Sequence, residues 1–115
     1  MMEATREMII VTTFNVEGHN IVEYKGLVRG ITVRTPNIAQ GVVAGLKSIT
    51  GGRVSGFTKV CEEARQDALE HMIEHAQQMG ANAILGVRYD ASDMGQSSAT
   101  EVLCYGTAVV LQPAG

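Results

Sequence analysis

Hydrophobic and polar positions change period several times along the chain, and each change marks an element. Residues 8–13, Met-Ile-Ile-Val-Thr-Thr, are apolar and β-branched and run out near Asn15 and Gly18, which can supply a turn. That pattern predicts a strand. Residues 21–24 form a second short strand, and from Val28 to Arg34 apolar and polar residues alternate with period two until Pro36 stops them. The first third therefore reads as a β-meander. Residues 37–50 suit a short helix capped by Asn37, with Ile38, Val42 and Leu46 or Ile49 at helical spacing, ended by Gly51-Gly52-Arg53.

A long helix follows from a Thr58 cap to Met79, with Gly80 set to take the left-handed conformation that closes a helix. At 100° per residue, Cys61, Arg65, Ala68, Leu69, Met72, Ala76 and Met79 share one face, with Glu63, Asp67, Glu70, Glu74 and Gln78 opposite. Arg65 is out of place in that stripe and calls for a carboxylate, Glu62 or Glu101. Residues 83–89 predict a strand, 90–99 a polar loop, and 101–111 a closing strand with a bulge at Gly106. The whole is one domain over 8–111, preceded by a polar arm at 1–7.

Composition changes the picture in one respect. Charged residues are 18% of the 115, below the ~25% of ordinary soluble domains, while 45% are apolar. A domain with too little charge to cover its surface is expected to associate with copies of itself. Nine Lys and Arg against twelve Asp and Glu leave a net charge of −3, which disfavours a nucleic-acid partner, because phosphate binding needs a net basic face. No apolar run reaches the ~18 residues of a membrane span. Cys61 and Cys104 form no paired motif, so a reducing, cytoplasmic setting is expected rather than a disulfide scaffold.

Candidate chemistry is sparse. His71-Met72-Ile73-Glu74-His75 fits the H-x-x-E-H spacing, which sets two imidazoles one helical turn apart where one metal can meet both. A third ligand would come from Cys104 or Glu101, and a Cys104, His71, His75 cluster would suit zinc or copper(I), which take soft sulfur and imidazole donors. The plainer reading is that both histidines sit half-buried at the border of the apolar face. Cys61 and Cys104 read as small buried hydrophobes, and His19 as a solvated turn residue. Asp90, Asp93 and Glu101 lack the spacing of a calcium loop.

Several short motifs occur in a recognisable order: Thr12-Thr13 before Glu17-Gly18, Val22-Glu23-Tyr24 into Gly26-Leu27-Val28, then Gly51-Gly52-Arg53, Ala64-Arg65, Gly80-Ala81-Asn82-Ala83, Gly86-Val87 and Gly106-Thr107-Ala108-Val109. Together they resemble the YbjQ-like family of small bacterial proteins over residues 8–111. The resemblance implies an α+β subunit, an antiparallel sheet packed against one long and one short helix, assembled as a homopentameric ring. It also implies a candidate heavy-metal-binding role with no known catalytic residues. Arg53 and Arg65 fall on matching motifs and are read as structural charge pairs. The leading expectation is a cytoplasmic, non-enzymatic homo-oligomer. The alternatives are a soft-metal module at His71, His75 and Cys104, and an enzyme or small-molecule-binding protein with a pocket between subunits, where Arg53 or Arg65 orients an anion.

Overall fold

The computed structural model describes residues 8–34, 55–93 and 100–115. The predicted arm at 1–7, the short helix at 37–50 and Arg53 lie outside them. The described chain is α+β, with elements in the order β1 (Ile9–Ile10), β2 (His19–Arg34), α1 (Ser55–Gln78), β3 (Ala83–Asp93) and β4 (Thr100–Pro113). The four strands make one sheet in the order β1-β3-β4-β2.

That order corrects the predicted β-meander. β1 and β2 lie at opposite edges of the sheet, and β1 pairs parallel with β3, Ile9 with Ala83 and Ile10 with Ile84, so the sheet is mixed rather than antiparallel. Period-two alternation identifies a strand but not its neighbour. Here Ile10 packs with the core beneath the helix and Ile9 with a second cluster on the other face, so β1 joins both. The two short strands predicted at 21–24 and 28–34 are one 16-residue strand with irregular register at Ile21/Glu23 and Tyr24/Gly26, where Gly26 takes φ +115°. An extra residue with left-handed backbone bends a strand without ending it.

β3 also runs past its predicted end to Asp93, because Asp90, Ala91 and Ser92 find partners on β4 in Leu103, Val102 and Glu101. The bulge expected at Gly106 belongs to the facing strand. Between Leu85 and Arg88 the register slips by one residue, with Gly86 at φ +63°, and Gly106 lies opposite with no space for a side chain: a Cβ there would stand 2.8 Å from Ile84 Cγ2 and 2.9 Å from the Leu85 carbonyl oxygen.

The helix begins before Thr58, at Ser55, so Thr58 is an internal residue rather than the cap. Its end is as predicted. Gly80 at φ +83° donates its N–H to Gln77 and Ala81 donates to Ala76, the paired bonds of a Schellman motif.

The helix meets the sheet along Ala64, Ala68, Met72 and Ala76, all buried with Val28, Cys104 and Ala108. Steps of four residues advance 400°, so this line winds about 40° per step around the helix. Cys61 and Arg65 therefore lie a quarter turn off it and are exposed, which corrects their placement in the apolar stripe. Three alanines on α1 and Gly30 on β2 let the two backbones approach closely. A Cβ at Gly30 would overlap the Ala68 carbonyl oxygen and the Met72 nitrogen, and would lie 2.8 Å from His71 Cβ. On the opposite sheet face, Ala83, Leu85, Val109 and Leu111 are buried under Val11, Val16 and Ile21, while Asn82 exchanges two hydrogen bonds with the Leu111 backbone at 2.8 and 3.0 Å.

Replacing Gly30 with Ala forces backbone to move, not a side-chain tip. The expected loss is about 1–3 kcal/mol of stability, the usual cost of overpacking, read by urea denaturation; an unchanged midpoint would contradict so close a helix–strand contact.

Candidate functional site

A quarter turn from the alanine line, on the side away from Arg65, the helix carries Asp67, His71 and His75 at i, i+4 spacing. All three reach β2. Asp67 Oδ2 accepts from Arg34 Nη2 at 2.7 Å. His71 Nδ1 lies 3.1 Å from the Ile31 carbonyl oxygen, and His75 Nδ1 lies 3.3 Å from the Arg29 N–H. A carbonyl can only accept, so His71 carries its proton on Nδ1 and leaves the Nε2 lone pair unengaged by that bond. A backbone N–H can only donate, so the neutral His75 ring carries its proton on Nε2. Because β2 is an edge strand whose other side pairs with β4, these imidazoles satisfy backbone groups on its open edge.

This arrangement bears directly on the candidate ligand set. Donation from Nδ1 to a carbonyl is how metal-bound histidines are ordinarily held, and His71 has it. His75 does not, since its acceptor nitrogen is spent on Arg29. Cys104 is fully buried in β4 beneath the helix, opposite Gly30, and its Sγ donates to Met72 Sδ at 3.7 Å. Among the described residues, no three of His, Cys, Asp and Glu are gathered as a metal ion requires. The donors among the described residues of one chain therefore do not fit a metal on their own.

Cys104 instead forms the middle of a short chain of polarisable groups. Tyr89 is its partner across β3 and β4, and its hydroxyl is near enough to favour the thiolate. Burial pushes the Cys104 thiol above its ordinary 9.0, and the Tyr89 hydroxyl opposes that only in part. Burial likewise raises the Tyr89 hydroxyl above 10.0, with the neighbouring thiol adding to the shift. A raised thiol is neither a ready nucleophile nor a ready metal ligand. Cys61 is the exposed cysteine, and both cysteines are free. Arg65 lies 3.9 Å from Glu62, a solvent-exposed contact of one helical turn. His19 opens β2, with Nδ1 3.2 Å from the Glu17 carbonyl.

The remaining feature is a bare sheet face. Away from α1, Leu27, Ile31 and Val33 on β2 are 59, 43 and 48% exposed. Sequence reasoning expected an apolar sheet face without naming its residues, which apolar positions on both phases of the β2 alternation mark, and missed the Asp67 member of the histidine row despite the 67, 71, 75 spacing.

The chain matches the family described as "Putative heavy-metal-binding" over residues 8–112. It belongs to the YbjQ family. It is 52% identical over 104 residues to a UPF0145 protein of Legionella pneumophila strain Corby, covering 90% of this chain and 98% of that one. A UPF0145 protein of Francisella philomiragia is 54% identical over 106 residues, covering 91% and 100%. A crystal structure of a protein with unknown function from Pediococcus pentosaceus, assigned to the DUF74 family, superposes with a TM-score of 0.57 at 19% identity over 93% of this chain and all of that one. That last likeness shows the shared fold.

Two consequences of this chemistry are measurable. An aromatic disulfide reagent should titrate Cys61 in the native YbjQ-family chain and reach Cys104 only after denaturation; rapid reaction of both would refute the burial. Because the folded state holds the Cys104 and Tyr89 protons more tightly than the unfolded chain does, folding stability should hold below pH 9 and fall as pH rises past it. In Cys104→Ala the part of that alkaline loss due to the thiol should disappear, as read by denaturation at pH 8 and 10.

Proposed function

We propose that this chain is a cytoplasmic, non-enzymatic homo-oligomer in which identical neighbours cover the exposed face of the sheet. The observation that carries this reading is the apolar side chains of Leu27, Ile31 and Val33 standing open on one long strand. Contiguous apolar patches on a domain with 18% charged residues are expected to bury themselves. The family resemblance supplies the number five, and a closed ring of five needs one repeated, heterologous contact. Light scattering at micromolar concentration tests this: the expected mass is five times the 12.3 kDa chain, and Ile31→Lys should lower it while leaving the circular dichroism unchanged. A wild type of 12.3 kDa at all concentrations would overturn the proposal.

Metal binding is a second reading, favoured by one geometry, the carbonyl-oriented His71 ring with its outer nitrogen left over, and by the family's description. His75 and Cys104 complete the candidate set for zinc or copper(I) only if they give up their present bonds, so donors from more than one copy are the simpler requirement. Elemental analysis of untagged protein should then find stoichiometric metal that is lost in His71→Ala. Metal-free wild type that also takes up none on addition would remove this reading.

A further inference from the structure

The oligomer proposed above could form in two ways, by adding strands along the open edge of β2 or by stacking its bare face. Arg29 and Ile31 lie on that edge, and the Arg29 N–H and the Ile31 carbonyl are already bonded to His75 and His71. Strand addition across this stretch would have to break both bonds, and side chains that occupy an edge are a standard means of preventing it. Among the described residues the face has no such block.

The face also carries charge in an ordered pattern. Cross-strand register sets Arg29, Tyr105 and Arg88 in one row, Ile31, Leu103 and Asp90 in the next, and Val33, Glu101 and Ser92 in the third. Val28 and Gly30 face the helix, as do Val102 and Cys104, so the alternate residues of these rows point the other way. One end of the patch is thus basic and the other acidic, with Ile31 and Leu103 between. Arg88 is partly committed within the chain, to the Thr12 and Val87 carbonyls at 3.2 and 2.9 Å and over the Phe14 ring. Arg29 and Glu101 have no charged partner among the described residues.

We infer that copies of this chain join through this sheet face and not through the β2 edge, with the arginine row of one copy set against the acidic end of the next, where Glu101 and, one row nearer the middle, Asp90 lie. The contact is heterologous, as a closed ring requires: each copy gives its basic end to one neighbour and its acidic end to the other, with apolar side chains beside both to supply buried area. This inference rests on the homo-oligomer reading and specifies its contact.

A charge swap tests it in the full chain. Arg29→Glu and Glu101→Arg should each place like charges across the contact and raise the concentration at which the oligomer dissociates by about tenfold or more, the effect expected of close interfacial charges. The double variant R29E/E101R reverses both partners together and should return that concentration to within about threefold of wild type. Light scattering across a dilution series reads all four proteins, and circular dichroism confirms that each is folded. Oligomers insensitive to either single change, or single changes that the double variant does not rescue, would overturn this contact while leaving self-association standing. A monomeric wild type would overturn the parent reading as well, and would mean that the face is covered by another part of the chain or by a different protein.

Discussion

The closeness of α1 to β2 governs most of what surrounds it. At Gly30 the strand lacks a side chain, and the helix presents only alanines and one methionine, so the two backbones lie nearer than a Cβ would allow. Close contact along an i, i+4 line makes the buried stripe wind around the helix. Residues a quarter turn to one side, Asp67, His71 and His75, are thereby brought against the strand edge, and residues a quarter turn to the other, Cys61 and Arg65, are turned to solvent. One packing relation thus decides the environment of both histidines, one of the two cysteines and an arginine.

The same relation sets the character of the polar groups. Histidines held by backbone partners of opposite kind differ in tautomer, so two residues that look equivalent in sequence have different chemistry: one presents a ring lone pair and the other a ring N–H. Cys104, beneath the close contact, has its thiol pushed up by burial, and its Sγ donates to the Met72 sulfur. These groups stabilise and orient; the ion pairs around them are exposed or half-exposed and contribute little individually.

The sheet is covered unevenly. α1 protects one face, the chain between β1 and β2 protects part of the other, and the rest carries apolar residues with a basic end and an acidic end. A surface of that kind has the amphipathic composition of an interface, and on the neighbouring edge the two imidazoles occupy the Arg29 N–H and the Ile31 carbonyl.

Residue order alone was enough to locate the long helix, its glycine end, the strand character of β3 and β4, and the low charge that makes association expected, because these depend on local periodicity, backbone preference and composition. Motif order was enough to indicate the YbjQ family. Strand neighbours, the parallel pairing of Ile9 and Ile10, the side of the helix on which Cys61 and Arg65 fall, and the partners of His71 and His75 were not legible, because each depends on contacts between segments distant in sequence. A wheel of 100° per residue gives the angles but not which line of residues meets the sheet, and that choice separates a buried thiol from an exposed one. Pairing and close approach, which only the folded chain specifies, therefore determined the chemistry of residues whose positions the sequence had already marked.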